Sequence, residues 1–283
     1  MIRKALGWFY PLLDKIYLNI DRRHIRRTKN IKLIPGFKNR RGGKLSYAEW
    51  AHVIGIFQTI IYQTLENKTG NKILDIGCGT GLLGISSEPF TFDGGTYTGI
   101  DVMKYEINFC SSHFKSDHYN FIHFDVANPR YAPSQNSELK PWPIESESKD
   151  LVTALSVWTH LSEKDSMFYF KEIHRVLKKG SKAIITFFYL DEAYHDSLLK
   201  RKDDVGRFHS GNQNQMIFES KAYGSENWYC PKWVKDPEDV IGVTKKGMEN
   251  IQHHSGLRLV EYYPGNWKEI PGVFYQDILI FEK

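Results

Sequence analysis

Cysteine is scarce in this chain: three residues, Cys78, Cys110 and Cys230, among 283. Their odd number and scatter argue against a disulfide framework, and no CxxC pair or Cys/His ladder offers zinc ligands. Such cysteine usage suits a reducing compartment, so a cytoplasmic location is expected. Long apolar runs are also missing. No stretch of about 18 apolar residues is present, which excludes a spanning helix. The N-terminus lacks the apolar core and small-residue cleavage site of a signal peptide. With 22 Gly and 11 Pro and no repeat, the composition is not collagen-like. A hydrophobic fraction of 41% and an aromatic fraction of 14% instead belong to a folded globular chain.

Acidic residues are nearly absent from the first 44 positions. That segment holds 13 Lys and Arg against Asp14 and Asp21, a net charge of +11, whereas the remaining 239 residues carry −6. Within it, Leu12, Leu13, Ile16, Tyr17 and Ile20 recur at helical spacing after Pro11, a residue suited to a first helical turn. The run DRRHIRRTK follows. Three arrangements fit. In one, the stripe packs on the body and the charges are solvated. In another, stripe and cations meet an anionic membrane surface, a peripheral rather than spanning contact, or a lipid-linked substrate. In the third, the cations meet nucleic acid.

Further along, Ser46 and Glu49 have the spacing of a capping box, and apolar residues from Val53 to Leu65 predict a helix over 45–70 that stops at Gly70. Strands are predicted at 73–76, 97–102, 120–124, 151–156 and 183–188, and two more at 257–262 and 274–281. A helix over 165–177, led by Ser162 and ended by Lys178–Gly180, and another over 244–255 stand between them. Strands alternating with helices imply right-handed crossovers and a parallel sheet. Residues 128–148 read as a Pro/Ser-rich loop, and 191–242 as an aromatic insertion or lid over the open end of the sheet. Four segments result: a basic head (1–44), a core (45–190), the insertion (191–242), and a closing helix with two strands (243–283).

The chemistry-bearing feature is a strand ending in Asp75 followed by Gly77-Cys78-Gly79-Thr80-Gly81. Glycines permit a tight turn and close approach of backbone to ligand, and the next helix offers free N–H groups. Asp101 ends the next strand, where a carboxylate can accept both hydroxyls of a ribose. Asp125 ends the third, facing an adenine edge. A dinucleotide fingerprint would need glycine at position 82, which is Leu. The adjacent pair His253–His254 points apart on a helix and makes no metal site.

ILDIGCGTG, YTGIDV, FIHFDV and KDLVTALSVWTHL, in this order and spacing, resemble the class I S-adenosylmethionine-dependent methyltransferases. The resemblance covers residues 71–190 and implies an α/β, Rossmann-like fold: a seven-stranded, mostly parallel sheet with flanking helices and an antiparallel last strand. It also implies S-adenosyl-L-methionine as cofactor. Gly77, Cys78, Gly79 and Gly81 would pass close to its methionine part. Asp75 would orient that turn or the amino group, and Asp101 would hold the ribose. Val102 and Met103 would border the adenine, and Asp125 and Val126 would meet its amine and ring. Ser156 and Val157 would line the route to the sulfonium. His160, in SVWTHL, is the candidate base; hydrogen-bonding the backbone or anchoring the next helix is its structural alternative. Tyr47, Trp158, Trp228 and Tyr229 are candidate acceptor contacts; the alternative is surface placement for Tyr47 and packing for the other three. GNWKEIPGVFYQD and RGGKLSYAEW also resemble methyltransferases of bacterial glycan and cell-surface polysaccharide pathways. A sugar or other hydroxylated small molecule is therefore the expected acceptor, methylated on oxygen. N-methylation of a small molecule or RNA, and a non-catalytic cofactor-binding scaffold, are the alternatives. The insertion lacks basic interleaving and no second nucleic-acid-binding domain is visible, which argues against nucleic acid.

Overall fold

A computed structural model describes residues 9–42, 44–126 and 139–283. Much of the loop expected at 128–148, and the first eight residues of the basic head, lie outside them.

The chain begins with helical residues 10–24: α1 (Tyr10–Leu13), a π-helical turn (Asp14–Leu18) and α2 (Asn19–His24). Next come α3 (Tyr47–Thr64), β1 (Lys72–Ile76), α4 (Leu82–Ser87), β2 (Thr96–Asp101), α5 (Lys104–His113), β3 (Tyr119–His123) and β4 (Lys149–Ala154). α6 (Glu163–Val176), β5 (Leu177–Phe187), β6 (Tyr189–Leu190), α7 (Glu192–Leu198), β7 (Phe218–Lys221), β8 (Trp228–Pro231) and β9 (Gly242–Thr244) follow. α8 (Lys245–Ser255), β10 (Arg258–Tyr263) and β11 (Asp277–Glu282) close the chain.

The main sheet has seven strands in the order β10-β11-β5-β4-β1-β2-β3. β11 runs antiparallel to both neighbours, and the pairs from β5 through β3 are parallel. The expected architecture is therefore present. Alternation along the central strands divides the core. Leu74, Val152, Ile185 and Leu279 face the layer holding Phe170 and Ile173 of α6 and Met248 and Ile251 of α8. Ile73, Leu151, Ile184 and Ile278 face the layer built by Val53, Phe57 and Ile61 of α3 and Leu83 and Ile85 of α4.

The capping signals act as the sequence suggests. Ser46 Oγ accepts from the Glu49 N–H at 3.1 Å, and the Glu49 carboxylate reaches back to the Leu45 N–H at 3.2 Å. Ser162 accepts from the Asp165 N–H at 3.2 Å. Two boundaries differ most. α3 stops at Thr64 rather than Gly70. Residues 178–180 begin β5 instead of ending α6, because the Gly180 N–H donates to the Lys283 carbonyl at 2.9 Å and the neighbouring strand draws the segment into the sheet.

Residues 191–242 form a folded element. β6, β9, β8 and β7 make a second, four-stranded sheet over a small cluster of Phe188, Leu190, Tyr194, Phe218 and Trp267. A buried ion cluster joins this element to the main sheet: Lys268 Nζ lies 2.8 Å from Asp191 and 2.9 Å from Asp277. The later part of the basic head also belongs to the body. Ile34, Phe37 and Arg40 are buried, and Asn30 donates to the Ile85 carbonyl at 2.9 Å.

Candidate active site

A cavity of about 410 Å³ opens at the carboxyl ends of β1, β2 and β4. That is where parallel α/β sheets bind ligands, because strand order reverses there and helix N-termini converge. Gly77 has φ +63°, and a Cβ on it would stand 2.5 Å from Val157 Cγ2, so only glycine fits. Gly79, with φ +51°, differs: nothing lies within 4 Å of where its Cβ would be. That open space is left for a ligand to approach the backbone.

Asp101 braces this turn. One carboxylate oxygen accepts from the Gly79 N–H at 2.7 Å, and the other accepts from the Met103 N–H at 2.8 Å. Burial raises its pKa, opposed by those two hydrogen bonds. Asp75 is more deeply buried and accepts from the hydroxyls of Tyr97 and Thr153, the latter at 2.9 Å. Desolvation pushes its pKa up to about 7, against the lowering effect of both hydroxyls. Ser156, beyond β4, holds φ +59°, with its N–H on Thr186 Oγ1 at 2.7 Å and its hydroxyl on Gln276 at 2.8 Å. A non-glycine residue in that region is held by its surroundings, and such positions cluster at functional sites.

Of the expected cofactor residues, Asp75, Gly77, Cys78, Gly79, Asp101, Val102, Met103, Val126, Ser156 and Val157 all line the cavity. Gly81 does not. It turns the chain into α4, where a Cβ would strike the Phe114 ring. Asp125 is exposed and outside the lining; its neighbours Phe124 and Val126 supply that wall.

Among the expected acceptor contacts, Trp158 lines the cavity, its ring edge-on to Phe170 at 5.1 Å. The other three do not. Tyr47 packs against the α3 layer with its hydroxyl toward the Ile31 carbonyl. Trp228 is fully buried in the main core, where Gly247 leaves room for its ring. Tyr229 packs on the small cluster beneath the second sheet.

His160 lines the cavity and sits on a 3₁₀ turn after β4. Its Nδ1 lies 2.7 Å from the Glu238 carbonyl. A carbonyl can only accept, so Nδ1 carries the proton and Nε2 is the basic nitrogen of the neutral ring. The Ile241 N–H donates to the Thr159 carbonyl at 2.9 Å, so the end of the insertion clamps this turn without lining the cavity.

Sequence reasoning missed two parts of the wall. One is aromatic: Trp142 and Tyr169 stack at 5.3 Å with an 8° interplanar angle. The other is the segment before α3. Arg41, Gly42 and Lys44 line the cavity, with Arg41 Nε 2.6 Å from Glu106. Burial lowers the Lys44 pKa, partly offset by Glu49. The basic charge there was legible; its place over the glycine turn was not.

This strand order, with a glycine turn under a strand-end carboxylate, defines a class I S-adenosylmethionine-dependent methyltransferase domain. Residues 74–185 match a family model described as a methyltransferase domain, so the chain carries a methyltransferase domain of that class. It is similar to a ubiquinone biosynthesis O-methyltransferase of Pelagibacter ubique, at 28% identity over 70% of this chain and 68% of that protein. A protein of the same description from Pasteurella multocida is 25% identical over 44% of this chain; the match spans about half of that relative's length, 55%. Among solved structures, a TehB-like S-adenosylmethionine-dependent methyltransferase of Corynebacterium glutamicum matches with a TM-score of 0.46 and 17% identity, over 84% of this chain and 96% of that one.

The lining fits S-adenosylmethionine. Gly79 leaves backbone open to it, and Asp101 retains acceptor capacity beyond its two N–H partners. Trp158 Nε1 and the Tyr169 hydroxyl are buried polar atoms at the cavity without a hydrogen-bond partner among the described residues.

Proposed function

We propose that this methyltransferase acts on a hydroxyl oxygen of a small molecule, with His160 as the general base. The cofactor supplies an electrophilic methyl on a sulfonium, and transfer is an in-line displacement. The chain's own contribution is alignment and proton removal. A hydroxyl is a weak nucleophile until its proton leaves, whereas a neutral amine already presents a lone pair.

The observation that carries this reading is the 2.7 Å contact between His160 Nδ1 and the Glu238 carbonyl. Nδ1 donates to the Glu238 carbonyl, which orients the ring and makes Nε2 the proton acceptor. Further support comes from the relatives described as ubiquinone biosynthesis O-methyltransferases. The proposed acceptor has a flat apolar face for the Trp142, Tyr169 and Trp158 walls. The C–H face of a sugar, as the C-terminal resemblance suggests, or an aromatic ring meets that need. Asp101 is proposed to hold the ribose, and the turn at Gly77–Gly79 the methionine part.

Release of S-adenosylhomocysteine from a panel of catechols, quinols, nucleotide sugars and amines tests the reading. Hydroxylated acceptors are expected to turn over. His160→Ala is expected to cut kcat by about 100-fold or more while S-adenosylmethionine affinity stays within about threefold. Preference for amines, or a mild effect of His160→Ala, overturns it.

A further inference from the structure

Two faces of helical residues 10–24 have different fates. The inner face is committed to the body. Leu18 is buried, and Tyr10 stacks on Phe37 at 4.9 Å. One oxygen of Asp14 accepts from the Phe37 N–H at 2.7 Å and lies 3.1 Å from Arg40. Arg22 donates to the Ile34 carbonyl. The outer face carries Leu12 (53% exposed), Ile16 (48%), Tyr17 (62%) and Ile20 (48%). Positions 12, 16 and 20 are successive turns of one stripe. Packing among the described residues therefore does not account for it.

Lys15 and Arg23 on these helical residues, and Arg26, Arg27 and Lys29 just after them, are exposed, while Asp14 is turned inward and paired with Arg40, leaving Asp21 as the one exposed acid between positions 9 and 29. An apolar ridge within a cationic band matches an anionic lipid surface: the ridge enters the acyl boundary and the cations meet headgroups. A second copy of this chain is a poor occupant, since a symmetric contact would press two cationic bands together.

We propose that residues 10–29 form a docking surface for an anionic bilayer, with Leu12, Ile16, Tyr17 and Ile20 inserted and Arg23, Arg26, Arg27 and Lys29 on the headgroups. This does not depend on which acceptor the enzyme uses. The docking helix is tied through Asp14 and Arg40 to the segment whose next residues, Arg41, Gly42 and Lys44, line the cavity. Docking thus fixes the position of the cavity wall relative to the membrane.

Sedimentation of the full chain with vesicles tests it. At about 0.1 M salt, where screening acts over about 10 Å, the protein should pellet with vesicles of phosphatidylcholine containing phosphatidylglycerol. It should stay in solution with phosphatidylcholine alone, and be released from the anionic vesicles by high salt. Arg26→Gln with Arg27→Gln should weaken partitioning about 30-fold, from about fivefold per cation. Leu12→Glu with Ile16→Glu should abolish it while S-adenosylmethionine binding is retained. Equal behaviour with both vesicle types refutes the proposal without any variant. So does unchanged pelleting of the Leu12/Ile16 variant. A lipid-free dimer that this variant dissolves would assign the stripe to a second copy and also overturns it.

Discussion

Replacing Asp101 with Asn separates two roles that one carboxylate is asked to fill. Its oxygens accept from the Gly79 and Met103 N–H groups at 2.7 and 2.8 Å. Asn offers one acceptor oxygen, and its NH₂ then faces a backbone donor. Losing a hydrogen bond to a charged group costs about 1.5–3 kcal/mol. Burial already disfavours the ionised form, as the raised pKa of Asp101 records, and that offsets part of the loss. A fall in stability of about 1–2 kcal/mol is therefore expected. Ribose binding adds a separate loss. If the carboxylate accepts ribose hydroxyls, Asn should weaken S-adenosylmethionine by about 2 kcal/mol, or about 30-fold in Kd. Calorimetric titration and thermal unfolding of both proteins measure the two losses independently. A dideoxyribose analogue completes the cycle: it should bind the wild type more weakly than the parent nucleoside, yet lose little more on the variant. A lowered Tm with unchanged affinity would leave Asp101 as a brace of the turn and refute its part in ribose binding.

Glycine substitutions in the turn should dissociate stability from binding. Gly79→Ala has space for its Cβ and should cost about 1–2 kcal/mol for the left-handed backbone, yet weaken S-adenosylmethionine at least about tenfold by filling the open approach. Gly77→Ala, pressed against Val157, should lose more stability than Gly79→Ala in urea unfolding. Asp75 gives a pH signature. Its folded pKa, about 7, exceeds the reference 3.8, so folding favours the protonated carboxyl. Stability from this group is fully present below about pH 4 and is lost as pH rises toward and through about 7. Without cofactor, the wild type should lose about 2–3 kcal/mol more than Asp75→Asn between about pH 5 and 8, and equal slopes would refute the shift. Lys268→Met strands the Asp191 and Asp277 carboxylates in the interior and should destabilise by about 3–5 kcal/mol. Partial rescue by Asp277→Asn in the same chain would show that buried charge is the cause.

What could be read from the residues alone was what depends on near neighbours. A left-handed turn favours glycine wherever it occurs, so Gly77-Cys78-Gly79 announced a close approach of backbone to ligand. The capping pairs Ser46/Glu49 and Ser162/Asp165 needed only three residues of context. Strand alternation followed from a period of two, and the resemblance carried by ILDIGCGTG and YTGIDV supplied the seven-stranded sheet with its antiparallel last strand. The site residues recovered, from Asp75 to Val157, sit at strand ends, where sequence position nearly fixes spatial position.

Tertiary structure decided which surfaces those local elements meet. Trp142 and Trp228 are alike as residues, but one stacks on Tyr169 at the cavity and the other fills the core beside Gly247. Residues 178–180 look like a helix stop until the Gly180 N–H meets the Lys283 carbonyl, just past the last strand. The basic head splits between an outward stripe and a cavity wall because Asp14 and Arg40 pin one face of its helix to the body. Local sequence specifies conformation through short-range sterics and hydrogen bonds. The partners of a large side chain are set by segments tens of residues away, brought together only when the sheet closes.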